Sequence, residues 1–252
     1  MGRRPIVAGN WKMHHGVAAT TAFCEAILDE PLPEGVDAVL CPPYTSLPAA
    51  AMLLAGSSIG LGAQNVHWEA SGAFTGEIAP AMLTELGVEW VIVGHSERRA
   101  LFGETDATAA RRAAAAQEAG LTVIFCLGET LEQREAGETL AVLERQSAVL
   151  GALDPGRLVV AYEPIWAIGT GRTATPEQAE EAHAFLRERL RAAFGAPAEA
   201  IRILYGGSVK PANAAELFAM PDVDGGLVGG ASLDAASFSA IIRAAASAPP
   251  KE

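Results

Sequence analysis

The residues able to do chemistry in this chain stand where apolar runs stop. Glu163-Pro164 follows the run 158–162. A carboxylate emerging from such a run is partly desolvated, which raises its basicity towards that of a useful general base. His95 follows the run 88–93 after one glycine, in Gly94-His95-Ser96-Glu97-Arg98-Arg99. If Ser96 opens a helical turn, His95 lies at the positive end of a helix dipole, which biases the imidazole towards its neutral, hydrogen-bond-donating form. Lys12 ends Gly9-Asn10-Trp11-Lys12 behind the run 6–8. With three lysines against fifteen arginines in the chain, a lysine here points to a compact ammonium suited to a phosphate or carbonyl oxygen. Lys210, after another glycine loop, carries the same signal more weakly, and Lys251, in the tail, carries none. Each residue also fits a plain structural role: Glu163 paired to a rim arginine, His95 hydrogen-bonded in place, Lys12 solvated in a loop.

Two glycine pairs strengthen the chemical reading. Gly206-Gly207-Ser208 and Gly229-Gly230-Ala231-Ser232 follow consecutive apolar runs. Paired glycines let backbone N–H groups approach an anion, and the helix N-termini that follow add positive potential. Between Pro164 and Ala174, apolar residues including Ile168 are followed by Gly169 and Gly171, a composition suited to a lid that excludes water. Gly169 to Ala174 formally match G-x-G-x-x-A, but five residues separate Glu163 from Gly169, whereas a dinucleotide fingerprint starts directly after its strand. Gly94 to Arg98 nearly match a hydrolase elbow, but Arg98 replaces the closing glycine. No metal-binding motif is present. One carboxylate, one histidine and one lysine near a phosphate site suggest proton transfer next to a carbonyl in a phosphorylated small molecule, without metal or cofactor.

Eight strand-length apolar runs must position these groups: 6–8, 36–41, 58–63, 88–93, 121–127, 158–162, 201–205 and 223–228. They begin 22 to 43 residues apart, and each precedes a longer amphipathic or alanine-rich stretch. Thr130 with Gln133 and Thr175 with Gln178 form capping-box patterns, Pro176 fits a first helical position, and Gly120 and Gly195 stand where helices should stop. Continuously apolar strands must be covered on both faces, as in a parallel sheet. Eight βα units without a composition break favour a closed (β/α)8 barrel over an open doubly wound sheet, in a single domain spanning 1–252. The expected site then lies at the carboxyl ends of the strands, and residues 248–252 are expected to fray.

Composition narrows the function classes. The 252 residues are 50% hydrophobic and 19% charged, which excludes an intrinsically disordered chain. A net charge of −12 argues against nucleic-acid or anionic-membrane partners, and it disfavours long-range attraction of an anionic substrate, so any phosphate must be held locally. Three cysteines without C-x-x-C spacing rule out a disulfide framework and suit a reducing compartment. No apolar run reaches 18 residues, and the short run after Arg3-Arg4 is no secretion signal, so a cytoplasmic protein is expected.

Along nearly its whole length the chain resembles the triosephosphate isomerase family. The resemblance is carried by Gly9-Asn10-Trp11-Lys12-Met13, Gln64-Asn65-Val66, Gly72-Ala73-Phe74-Thr75-Gly76-Glu77, Val93-Gly94-His95-Ser96-Glu97-Arg98-Arg99, Cys126-Leu127-Gly128-Glu129, the unbroken segment 161–171, Tyr205-Gly206-Gly207-Ser208-Val209 and Leu227-Val228-Gly229-Gly230-Ala231-Ser232. It implies a TIM barrel that interconverts dihydroxyacetone phosphate and glyceraldehyde 3-phosphate through an enediolate, with no cofactor. By position it makes Glu163 the base, His95 a neutral electrophile, and Lys12, helped by Asn10, the electrostatic stabiliser. Gly169, Ser208, Gly229 and Gly230 would hold the phosphate. Pro164, Ile168 and Gly171 would belong to the lid, and Thr75 would reach the active site of the partner in a homodimer. Arg172 stands where many members carry lysine, and His14-His15 follow where the family varies; neither touches a proposed chemical role. An aldolase would need a buried strand lysine, and a silent scaffold would lack one of the three chemical residues; neither description fits.

Overall fold

The computed structural model describes residues 2–169 and 173–251. Its strands are β1 (Ile6–Asn10), β2 (Asp37–Cys41), β3 (Ile59–Ala63), β4 (Trp90–Val93), β5 (Thr122–Leu127), β6 (Leu158–Tyr162), β7 (Arg202–Tyr205) and β8 (Gly225–Val228). They pair in parallel in chain order, and β1 closes on β8 from Ile6↔Gly225 to Gly9↔Val228. Closure leaves the sheet without an edge, and helices cover its outer face, as the alternation of runs and amphipathic stretches requires.

All eight expected runs become strands, with small shifts that have one cause. Val36, Val88, Leu121, Ile201 and Val223 are buried but precede the first hydrogen-bonded residue of their strands. Hydrophobicity reports burial rather than pairing. In the other direction, β1 runs on to Asn10, because Gly9 and Asn10 pair with Leu40 and Cys41.

Side chains alternate across the sheet. Ile6, Ala8, Val39, Cys41, Ile92, Ile124, Cys126, Val159, Ala161, Leu204 and Leu227 fill the barrel interior as one cluster, whereas Val7, Val123, Phe125 and Val160 join the outer core beneath the helices. Continuing the inward parity past the last interior layer reaches Asn10, Gly128, Glu163, Gly206 and Gly229. The barrel therefore carries its polar residues and its glycines to one end by period alone.

The helices start as the caps foretell. Thr130 and Gln133 exchange backbone bonds of 3.2 and 3.0 Å, and Thr175 and Gln178 bonds of 3.2 and 3.1 Å. Gly120 and Gly195, with φ of 93° and 63°, follow the helices Asp106–Glu118 and Pro176–Phe194. A further box joins Thr105 to Thr108, where threonine takes the place of the usual glutamate or glutamine. The tail corrects an expectation. Lys251 is buried, and its ammonium donates to the Phe218 and Met220 carbonyls at the end of the helix Pro211–Ala219. Carbonyls at this end form the negative pole of that helix and need donors. The last residues described are thus pinned rather than frayed, by the lysine that looked least informative. Among the described residues no helix is long and apolar enough to cross a membrane.

One buried histidine makes stability depend on pH. His183, fully buried on the helix Pro176–Phe194, donates from Nδ1 to the Asp222 carbonyl at 3.0 Å, and burial pushes its pKa down to about 4. The unfolded chain takes up this proton near 6.5 and the folded chain only near 4. Its contribution is therefore complete above about pH 6.5 and is lost as pH falls towards 4, about 3 kcal/mol in all. The free energy of urea unfolding should fall across that window, and His183→Gln, which cannot titrate, should flatten the slope. An unchanged slope in the variant would remove His183 as the source.

Candidate active site

Glu163 is the inward-facing residue directly beyond β6, and its side chain is 2% exposed. Room for it comes from two glycines of the same inward parity on neighbouring strands. A Cβ on Gly128 would lie 1.8 Å from the Glu163 carbonyl oxygen, and one on Gly206 would lie 2.8 Å from its Cγ. The Glu163 N–H donates to the Leu127 carbonyl at 2.8 Å, and Pro164 then turns the chain out of the sheet at φ −66°.

His95 reaches the same spot from β4. It caps the helix Ser96–Phe102, and its Nδ1 accepts the Glu97 N–H at 3.2 Å. The turn from strand to cap is held by Glu104, which accepts the Gly94 N–H at 2.8 Å, and by Arg99, which donates to the Gly94 carbonyl at 2.7 Å. His95 Nε2 lies 2.9 Å from Glu163 Oε1, while Glu163 Oε2 accepts the Ser96 N–H at 2.8 Å. A neutral imidazole has one proton. Because Nδ1 is occupied as an acceptor, that proton sits on Nε2 and is donated to Glu163.

The pair corrects the expectation that burial would leave Glu163 more basic. Burial does push it up, but His95, the Ser96 N–H and Lys12 together hold it below the usual carboxylate value. At His95 burial opposes an imidazolium and the adjacent Glu163 charge favours one, and the hydrogen bonds decide between them. Protonating Nδ1 would set two N–H groups head to head and lose the helix cap, which favours the neutral ring.

Lys12 completes the group from β1. Its backbone is left-handed, φ 51°, and is fixed by the Asn10 Oδ1 bond to its N–H at 3.0 Å and by Gln64 Nε2 on its carbonyl at 2.8 Å. Its Nζ lies 2.6 Å from Glu97 Oε1. Glu97 and Gln64 hold Lys12 in place, contacts that their motifs do not reveal, since Glu97 lies in the first turn of a helix and Gln64 just beyond β3.

A cleft of about 460 Å³ opens over these residues. Asn10, Lys12, His95 and Glu163 line it, together with Ile168, Gly169, Ser208, Gly229 and Gly230 among others. Asn213 supports the turn after β7, accepting the Lys210 N–H at 2.8 Å and donating to the Ser208 carbonyl at 3.1 Å. Trp11 Nε1 donates to the Ser232 carbonyl at 2.9 Å and ties the turn after β8 to β1. Both ends of the expected lid are anchored. Glu129 accepts from Tyr162 Oη and Trp166 Nε1, each at 3.0 Å, and Tyr205 Oη accepts the Ala174 N–H at 3.3 Å. Pro164 directs the chain into that segment without lining the cleft; Gly171 and Arg172 lie outside the described residues. Thr75 is exposed and is not part of this chain's own cleft. Cys126 is fully buried, and burial, with Glu163 nearby, raises its thiol well above the ordinary range, so it is no nucleophile.

Gly128→Ala should move the Glu163 backbone and lower the turnover supported by this cleft about a hundredfold, the scale of an ångström-sized misplacement, in a protein that still folds by circular dichroism. Near-normal turnover would mean that the inward glycines do not position the carboxylate.

The triosephosphate isomerase family model matches residues 5–245. The triosephosphate isomerase of Thiobacillus denitrificans is 53% identical over 248 residues, covering 97% of this chain and 99% of its own. That of Herminiimonas arsenicoxydans is 55% identical over 247 residues, covering 96% and 100%, and that of Moorella thermoacetica 52% identical over 244 residues, covering 95% and 98%. A match at this identity, continuous from β1 to the last helix, leaves one conclusion: the chain belongs to the triosephosphate isomerase family.

Proposed function

We propose that this chain, one barrel domain over 1–252, interconverts dihydroxyacetone phosphate and D-glyceraldehyde 3-phosphate. The observation that carries the reading is a carboxylate and an imidazole 2.9 Å apart in a cleft that glycine-rich turns also line. The pair can move a proton on carbon, and the turns can accept a phosphate through backbone N–H groups.

While His95 donates its only proton to Glu163, neither group is free for a substrate. A carbonyl oxygen that takes over the Nε2–H releases the carboxylate to act as base. Glu163 then removes a proton from the carbon beside the carbonyl, the C–H electron pair forms the carbon–carbon double bond, and the oxygen takes the negative charge. His95 Nε2–H and the Lys12 ammonium stabilise that enediolate. After proton exchange between the two oxygens, assisted by His95, Glu163 returns its proton to the neighbouring carbon. Gly169, Ser208, Gly229 and Gly230 hold the phosphate, and the segment from Pro164 through Ile168 to Gly171 closes over it as a lid that excludes water. All steps balance with protons alone, so the reading needs no metal or cofactor.

A second copy of the chain completes this reading. Met13, beside Lys12, is 95% exposed, and Phe74 and Met82 are also open to solvent. A homodimer covers this apolar surface and brings Thr75 to the partner's cleft. Three buried, unbridged cysteines support a reducing, cytoplasmic setting.

Purified protein should isomerise glyceraldehyde 3-phosphate without added metal, and Glu163→Gln should lower kcat at least about a hundredfold, the usual scale of a lost general base. Lys12→Arg should also cripple turnover, because a planar guanidinium cannot replace the compact ammonium seated 2.6 Å from Glu97. A fast Lys12→Arg enzyme would refute that role, and no activity in the folded wild type would refute the isomerase reading. Sedimentation should give twice the chain mass.

A further inference from the structure

Resting on the isomerase reading, we propose that Lys210 is the electrostatic entry residue of the cleft, a charge that draws the phosphorylated substrate in without bonding to it. The molecule as a whole repels such a substrate, with 30 acidic against 18 basic side chains. The cleft's own charges do not reverse this. Lys12 is matched by Glu97 at 2.6 Å, His95 is neutral in its hydrogen-bonding pattern, and Glu163 is left as an unmatched negative charge. Among the described lining residues, Lys210 is the remaining cation.

Three observations make that cation available. It lies on the cleft wall with the turn after β7, and it is exposed. Among the described residues it makes no ion pair, whereas arginines commonly do: Arg3, Arg98, Arg99, Arg112 and Arg187 all sit within 4 Å of carboxylates. Its backbone is fixed from both sides, with the N–H bonded to Asn213 Oδ1 at 2.8 Å and the carbonyl accepting the Asn213 and Ala214 N–H groups at 3.1 Å. A fixed backbone thus carries an exposed ammonium on the wall of a cleft whose remaining charge has the wrong sign. Low-dielectric walls focus such a field towards the opening. Because the charge acts through space, any cation should serve and salt should screen it, in contrast to Lys12.

The test is kcat/KM for glyceraldehyde 3-phosphate over ionic strengths from about 0.01 to 0.3 M, in wild type, Lys210→Gln, Lys210→Glu and Lys210→Arg. At low salt the expected loss is about threefold for Gln and about tenfold for Glu, carried by KM, with Arg close to wild type. At high salt the variants should converge on wild type. A Lys210→Glu enzyme equal to wild type at low salt would overturn the proposal. A salt-independent loss would also overturn it, because that would mark a local structural role at the helix start. A wild type that does not isomerise at all would instead refute the functional reading, so the two failures are distinct.

Discussion

The hydrogen bond between His95 and Glu163 joins the ends of β4 and β6, strands separated by β5. It forms because β5 holds β4 and β6 in register and because Gly94 turns His95, which strict alternation after the inward Ile92 would face outwards, over the end of the barrel. Each partner comes from an element whose local sequence leaves little choice. Gly94, with φ 74°, turns the chain from β4 into a helix cap, while the inward series Val159, Ala161 delivers Glu163 two residues on. Gly128 contributes by having no side chain where the Glu163 backbone must lie, and Gly206 by having none where its side chain must lie. Moving β6 by one residue would put Tyr162 at the centre and Glu163 against the helices, so the pair is a sensitive report on register.

Most of this architecture was legible in the amino-acid sequence. Apolar runs marked every strand because a parallel barrel buries both strand faces, and capping threonines marked helix starts because unpaired N–H groups need acceptors. The positions of His95, Glu163, Lys12 and the two glycine pairs followed from the rule that chemistry sits past the carboxyl ends of barrel strands. What could not be read was the partner of each group. The carboxylate was expected to gain basicity by burial, but a helix N-terminus and an imidazole reached it from elsewhere in the chain and reversed the balance. Lys251 gave no signal because its partners, the last carbonyls of a helix more than thirty residues away, exist only after folding. The contacts of Glu97 and Gln64 could not be read for the same reason: they hold the ammonium and the carbonyl of Lys12, supplied by a distant segment.

The charge distribution follows one logic throughout. An acidic molecule that handles an anion must concentrate its positive potential locally, through backbone N–H groups at glycine turns and through a small number of lysines. The three lysines occupy three different electrostatic settings. Lys12 is left-handed and paired with Glu97 in the cleft, Lys210 is exposed on the cleft wall, and Lys251 is buried against carbonyls at the end of a helix. Arginines, by contrast, knit elements together: Arg187 alone binds Asp222, Asp224 and two backbone carbonyls.

The ring of His95 offers the most direct examination of this account. In protein labelled with ¹⁵N-histidine and free of ligand, its resonances can be assigned by their loss in His95→Gln. A neutral ring with the proton on Nε2 and a bare Nδ1, unchanged from about pH 6 to 8, is the expected result. An imidazolium at pH 7, or a proton on Nδ1, would contradict the bonding that places His95 between the Glu97 N–H and the Glu163 carboxylate.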